Sequence, residues 1–453
     1  GGAVSVFPRN VMIRFIDLFA GIGGIRLGLE QACQELGIDC RCVLSSEIDS
    51  KACETYNLNF GETPQGDITK IKQIPDFEFL LAGFPCQPFS YAGKQQGFGD
   101  TRGTLFFEVE RIIKEHQPTG FLLENVRGLT SHDGGRTLKT IIHALSELGY
   151  GVSYLVLNSS NFDIPQNRVR IYILGLKEQT PQLTLQSDKG AIDSHAFKKA
   201  GIQGDLFQNF LSFKTVKDIL EKEVDSQYLC SPKFTQMLTK AVGNNLNKLH
   251  GVRLIDFRGG NSIHSWDLGI KGECDRVEKN FMNLLIANRR KKIFGTHQDG
   301  KSLTLEQIKT FYFNPDLVEV IGSLLAKGYL KEENGKYGPV CGNMSFEVFK
   351  FLDPESISIT LTSADAHRLG VVVNNQPRRI TPRECARLQG FPNWYQLHPD
   401  EYAAYRQLGN AVTVPVIKTV MLDYLSNNFS FFSKETTNFG TTPNQPLTKK
   451  VFS

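Results

Sequence analysis

The sequence predicts an α/β fold, a largely parallel sheet flanked by helices, with a separate and more polar domain beyond it. Over residues 1–175, short β-branched or aromatic runs alternate with amphipathic stretches, the pattern of strand and helix in turn. Each expected strand ends in a glycine, polar or reactive residue, where open α/β sheets hold their ligands. From Leu176 to about Arg378 the texture changes to one rich in Gln, Asn, Ser and Lys.

The first strand is expected over residues 13–18. It runs into Phe19-Ala20-Gly21-Ile22-Gly23-Gly24, after which Ile25, Leu29, Ala32, Cys33 and Leu36 recur near helical spacing, giving strand, glycine turn and helix. Residues 42–45 form the next strand with Glu47 just past its end. Residues 77–82 form another and lead into Gly83-Phe84-Pro85-Cys86. Residues 121–123 lead into Glu124-Asn125, and Gln166-Asn167-Arg168-Val169-Arg170 precedes a strand over 171–174. In the polar span, 304–312 and 317–327 read as helices and 329–339 as a hairpin turning at Glu333-Asn334-Gly335, a winged-helix-like arrangement. Thr381-Pro382-Arg383-Glu384 supplies the N-cap, first-position proline and third-position acid of a new helix. From Asn428 onward no period is visible, and a mobile tail is expected.

With 453 residues, the chain has room for two or more domains. A net charge of +4, with 40% hydrophobic and 22% charged residues, excludes disorder throughout and a histone-like polycation. No run approaches the roughly 18 apolar residues of a membrane helix, and Gly1-Gly2-Ala3-Val4 lacks a charged-then-apolar signal pattern. A cytoplasmic protein without a membrane partner is expected. Nine cysteines, an odd number without Cys-x-x-Cys spacing, read as reduced thiols and give no zinc or other metal site.

The glycine turn lets backbone approach a ligand at the head of a helix. The third glycine of a dinucleotide fingerprint is replaced by Arg26, which counts against nicotinamide. Glu47 can accept hydrogen bonds from both hydroxyls of a ribose, so a cofactor with a ribose and no pyrophosphate fits better. Pro85 and Pro88 fix φ on either side of Cys86 and Gln87, holding the thiol in one orientation. Residues 90–104, with four glycines, Lys94 and Arg102, suit either a lid that touches phosphates or a plain surface loop. Glu124 is expected to face Cys86, pairing a nucleophile with an acid. Arg168 and Arg170 alternate onto one face, suited to an anionic ligand, to holding Glu124, or to a solvated strand edge. Arg289-Arg290-Lys291-Lys292, with Lys248, Arg253 and Arg258 upstream, is either a solvated face or a set of phosphate contacts.

Six motifs in order then resemble the DNA (cytosine-5) methyltransferase family of bacterial restriction-modification type. They are Phe19-Ala20-Gly21-Ile22-Gly23-Gly24, Gly83-Phe84-Pro85-Cys86-Gln87-Pro88-Phe89-Ser90, Glu124-Asn125-Val126, Gln166-Asn167-Arg168-Val169-Arg170, Arg379-Ile380-Thr381-Pro382-Arg383-Glu384 and Gly409-Asn410-Ala411-Val412. The resemblance implies a Rossmann-like sheet of the S-adenosylmethionine-dependent methyltransferase type with a smaller inserted target-recognition domain. Residues 1–175 would be the catalytic and cofactor-binding domain, completed by 403–427. Residues 176–378 would recognise the target, 379–402 would form the hinge and motif region, and 428–453 the tail.

The resemblance also implies roles. Cys86 would add to carbon 6 of a cytosine, Glu124 would serve ring nitrogen 3, and Arg168 would lie near the ring oxygen. Phe19, Gly21, Gly23, Glu47, Asp67, Ile68, Leu105, Asn410 and Val412 would line the S-adenosylmethionine pocket. The partner would be double-stranded DNA, with the target base rotated out of the stack, and no metal would be needed. The enzyme would act as a monomer, with a cognate restriction endonuclease acting separately on the same site. An RNA (transfer RNA) cytosine-5 methyltransferase and a catalytically silent DNA-binding homologue are the alternatives.

Overall fold

Parallel strands β1 (Met12–Leu18), β2 (Asp39–Ser46), β3 (Phe79–Ala82) and β4 (Gly120–Val126) form one side of a six-stranded sheet. The remaining two are β5 (Tyr150–Asn158) and β6 (Val169–Lys177), with β6 antiparallel to both β4 and β5 in the order β2-β1-β3-β4-β6-β5. The computed structural model describes residues 11–85, 104–188, 214–296, 301–340 and 346–435. It divides the chain into two units, Gly1–Ser212 with Arg387–Ser453, and Phe213–Ala386.

In the first unit, helices α1 (Gly24–Leu36), α2 (Ser50–Phe60), α3 (Thr104–His116) and α4 (Arg136–Glu147) connect the strands. Phe15, Ile16 and Leu18 of β1 are all buried, because helices cover both faces of the sheet and a parallel central strand then reads as a continuous apolar run. One face packs on Leu29 and Cys33 of α1 and on Val416, Ile417 and Val420 of the helix Val414–Asn428. The other packs on Val109, Ile112 and Ile113 of α3 and on Leu138 and Ile141 of α4. The chain leaves β1 through α1 to β2 on one side and returns through α2 to β3 on the other. The crevice of a doubly wound sheet therefore opens between β1 and β3.

The expected strands are present, most with wider limits, while the one expected over 77–82 is shorter at Phe79–Ala82. β4 runs on through Glu124 and Asn125, which are members of the strand, and β5 adds a strand that the sequence pattern does not single out. Residues 182–185 fold with the sheet unit: Gln182 and Asn428 exchange hydrogen bonds of 2.9 Å, and Thr184 and Leu185 donate to Asp423. Residues from 387 onward also belong to this unit. Where the tail is expected to begin, residues 428–435 are helical but for Phe429. The Asn428 side chain is buried at the end of its helix, and a further helix, Ser430–Glu435, buries Phe432 beside Phe79. Residues 436–453 lie outside the described residues.

The second unit holds a five-stranded sheet of short strands and a three-stranded sheet. The latter is the hairpin Leu330–Glu333 and Lys336–Pro339 with Leu303–Thr304 beside it. With helices Arg276–Asn288, Leu305–Lys309 and Leu317–Lys327 it makes the winged-helix arrangement read from the sequence. Asn334 and Gly335 have φ of 54° and 72°, the left-handed pair that a two-residue hairpin turn needs. The helix expected over 304–312 covers Leu305–Lys309: Thr304 is its N-cap, in a capping box with Gln307, and Thr310 is its C-cap. The capping box between Thr381 and Glu384 also forms, with bonds of 2.8 and 3.1 Å, and Glu384 takes two more from Arg378 at 2.9 and 2.7 Å.

Candidate active site

Strand β1 ends in three left-handed residues, Phe19 (φ 53°), Gly21 (φ 53°) and Gly23 (φ 83°), which fold the backbone sharply into the head of α1. A methyl group on Gly21 would meet nothing within 4 Å, so the turn is open there, whereas one on Gly23 would collide with the Phe60 ring. Arg26, at the third-glycine position, turns sideways instead of blocking the turn. Its guanidinium lies 4.2 Å from the Phe60 ring centroid, donates to Glu30 at 2.7 Å and Tyr56 at 3.1 Å, and pairs with Glu62.

Glu47, just past β2, accepts from the Gly21 amide at 2.8 Å through Oε2 and from the Ile48 and Asp49 amides at 2.9 Å through Oε1. The amide at the helix head, where a pyrophosphate would bind, is thus already satisfied by a carboxylate. Oε1 is fully used by these two amides, and Oε2 keeps one further lone pair for a hydroxyl. Next to it Ile48 is 78% exposed, a large apolar side chain presented to solvent. The 65–67 segment is drawn to the end of β2 by Gln65 N to Ser45 O (2.8 Å) and Glu47 N to Gln65 O (2.9 Å). Asp67 there caps a short turn through Thr69, whose hydrogen bonds hold its pKa below the usual carboxylate range. Ile68 is buried beneath it.

Val412 is brought to the turn from the far end of the chain: a methyl on Gly24 would meet its Cγ2. Asn410, two residues earlier, is exposed at the end of the helix Glu401–Asn410. Leu105 lies half-buried in the first turn of α3, and Phe106 beside it packs 6.0 Å from Phe84 after β3.

Glu124 is buried in β4. Its Oε2 would lie 3.5 Å from a Cβ on Gly83, so it stands beside the backbone that leads from β3 toward Cys86. Asn125 Nδ2 donates to Phe84 O at 3.2 Å and fixes the same loop. Burial raises the Glu124 pKa, with Arg170 and then Arg168 opposing it. Cys86 and residues 90–103 lie outside the described residues.

The two arginines divide their work. Arg170 Nε lies 3.5 Å from Glu124 Oε1, while the buried Arg168 Nη2 donates to Ala411 O at 2.8 Å and Gly409 O at 3.3 Å. Gln166, also buried, donates to Leu388 O at 2.7 Å and Gln389 Oε1 at 3.0 Å, and Gln389 Nε2 in turn donates to Leu408 O at 2.7 Å. Alternate residues of the Gln166–Arg170 motif thus serve different segments. The glutamine and first arginine stitch the late turn to the sheet, and the second arginine faces the buried acid.

Sequence reasoning offered both arginines as holders of Glu124, and the structure gives that contact to Arg170; it missed the Gln389 knot and Asp17. Asp17, in the middle of β1, is 1% exposed, accepts from Tyr56 at 3.1 Å, and is pushed up to about 8 by burial, with Arg26 and the Tyr56 hydrogen bond opposing. An acid set between the buried apolar residues Ile16 and Leu18 was its signal. Among the described residues there is no group of three or more His, Cys, Asp or Glu side chains set to hold a metal, and no helix long and apolar enough to cross a membrane.

The glycine turn after β1, the Glu47 carboxylate after β2 and the buried acid near the end of β4 gather at the strand ends where open α/β sheets hold their ligands, and similarity to known proteins makes the chain a methyltransferase. The model of the C-5 cytosine-specific DNA methylase family matches residues 13–425, and the chain belongs to that family, whose members use S-adenosylmethionine. It is 67% identical over 416 residues to the type II methyltransferase M.BanI of Aneurinibacillus aneurinilyticus, covering 92% of this chain and 96% of that one. It is 64% identical over 412 residues to the type II methyltransferase M.HgiCI of Herpetosiphon aurantiacus, covering 91% and 97%. Among solved structures, a putative DNA modification methyltransferase encoded within an E. coli prophage shares the fold at a TM-score of 0.50 and 20% identity, covering 92% of this chain and 99% of that one. These matches favour the DNA-modifying enzyme over both alternatives, the RNA methyltransferase and the silent homologue.

Proposed function

We propose that this enzyme transfers a methyl group to carbon 5 of a flipped-out cytosine within one short duplex sequence, using Cys86 as nucleophile and Glu124 as acid. An unactivated pyrimidine carbon attacks poorly. Adding the Cys86 thiolate across the ring at carbon 6 makes carbon 5 nucleophilic and divides one hard step into easier ones. Glu124, its pKa raised by burial, hydrogen-bonds or protonates ring nitrogen 3 and takes up the charge pushed into the ring. Loss of the carbon-5 proton and then of Cys86 restores the aromatic ring. The observation that carries this reading is the buried Glu124 carboxyl beside Gly83, three residues before Cys86.

S-adenosylmethionine, when bound, supplies the methyl group. The residues fit it: Glu47 Oε2 has one free lone pair for a ribose hydroxyl, Ile48 offers an apolar wall, and the open Gly21 turn admits a ligand. Phe19, Gly23, Asp67, Ile68, Leu105, Asn410 and Val412 complete the proposed pocket. Arg168 acts through the Gly409–Ala411 carbonyls as a positioning residue. The second unit recognises the duplex. The biological setting is protection of a genome, in the cytoplasm, from an endonuclease that cuts the same sequence.

The test is transfer of labelled methyl groups to duplex DNA and to transfer RNA, followed by bisulfite sequencing of plasmid from expressing cells. Labelling of duplex at one repeated sequence is expected. Labelling of RNA alone overturns the reading.

A further inference from the structure

The second unit carries a cleft lined by Arg253, Arg258 and Arg368, with Phe257, Phe349 and a single carboxylate, Asp365. Three cations against one anion leave the cleft positive. Neither Arg253 nor Arg258 forms an ion pair among the described residues. Two of the guanidiniums lie over aromatic faces, Arg258 at 5.6 Å from the Phe257 centroid and Arg368 at 5.8 Å from that of Phe349, which orients them without neutralising them.

The strand register sharpens the point. Arg253 is paired directly with Lys350 across antiparallel strands, and like charges at directly opposed positions destabilise a sheet. Burial, and next Arg253, push the Lys350 ammonium down to about 8, and burial, then Arg368, lower the His367 pKa. The repulsion between Arg253, which lines the cleft, and Lys350 beside it is eased by an anion bound at Arg253. The surface continues in the same sense: Arg289 is buried, donating to Lys301 O at 2.9 Å and Phe257 O at 3.4 Å, while Arg290, Lys291 and Lys292 after it are exposed. The basic run therefore starts from a structural arginine anchored at the edge of the cleft.

We propose that this cleft holds a backbone phosphate of the substrate duplex, with Arg253 and Arg258 as direct contacts and Arg368 fixed beside Asp365 as their support. This rests on the reading of the enzyme as a DNA methyltransferase and assigns the cleft to positioning, not to base reading. A recessed site lined by ring-stacked guanidiniums accepts a protruding phosphate, whereas base edges are read by side chains projecting into a groove.

The experiment measures binding of the full-length wild type, Arg253→Gln, Arg258→Gln and Arg258→Lys to a duplex carrying the methylated sequence and to a scrambled duplex, over a series of KCl concentrations. Each glutamine variant is expected to reduce the slope of log affinity against log salt by about 0.9 and to weaken both duplexes by the same factor. Arg258→Lys is expected to keep the slope, since a phosphate accepts either cation. Melting without DNA is expected to leave Arg253→Gln as stable as wild type or more so. An unchanged slope, or a loss confined to the methylated sequence, overturns the proposal, and so does a lower melting temperature with an unchanged slope. A wild type that binds duplex yet transfers no methyl group overturns the functional reading and leaves the cleft to be judged by the slopes.

Discussion

Arg170 and Glu124 meet diagonally across neighbouring antiparallel strands, Nε to Oε1 at 3.5 Å, with side chains only 16% and 12% exposed. The register pairs Glu124 with Tyr172, so Arg170, two residues away on β6, projects to the same face. The ion pair sits against the effect of burial, which drives the carboxyl toward its neutral form.

This opposition gives a pH prediction. If Glu124 works protonated, activity falls as pH rises through its pKa. Arg170→Ala removes a charge that favours the carboxylate, so the pKa climbs further and the alkaline fall of kcat/KM moves to higher pH. Glu124→Gln is expected to lower kcat by about 10²–10⁴-fold and to abolish that limb. A profile from single-turnover methylation checks both.

Glu47→Gln replaces one acceptor oxygen with a donor facing backbone amides that already donate. The glycine turn loosens and the ribose loses a partner. Equilibrium binding of S-adenosylmethionine is expected to weaken about tenfold or more, equivalent to roughly 1.4 kcal/mol, while kcat at saturating cofactor changes far less.

Arg168→Met leaves the buried carbonyls of Gly409 and Ala411 without their charged donor, at a cost on the order of 2–4 kcal/mol. The melting temperature falls and KM for the cofactor rises, because Asn410 and Val412 sit on that turn. A variant that melts like wild type but loses kcat would instead place Arg168 against the pyrimidine.

Asp17 makes stability depend on pH. The folded carboxyl keeps its proton to about 8, whereas an unfolded aspartate releases it near about 3.9. The folded state thus binds more protons in that window, and stability declines as pH rises through it. Asp17→Asn is expected to flatten the decline, by on the order of a few kcal/mol at its upper end. Denaturant melts at a series of pH values measure it.

The sheet was legible because its strands are short apolar runs with glycine or carboxylate at their ends. The glycine turn, Glu47 and Glu124 could be placed at strand ends by that rule alone. What remained hidden depends on contacts between distant segments. Nothing local in Arg168 says that its partners are carbonyls some 240 positions later, and nothing distinguishes Arg168 from Arg170 until the β4–β6 register is known. Arg289 looked like part of an exposed basic run, yet it is buried because two carbonyls from other loops receive it. The helix after Asn428 escaped notice because it is too short to show a period, and its burial comes from Phe432 meeting Phe79.

Covalent capture of the target base by Cys86 is the step most directly open to measurement. A duplex carrying 5-fluorocytosine at the methylated position, incubated with enzyme and S-adenosylmethionine, is expected to give a denaturant-resistant protein–DNA species with wild type and none with Cys86→Ser. Its absence from a wild type that methylates ordinary duplex, or its persistence in Cys86→Ser, would contradict the central claim.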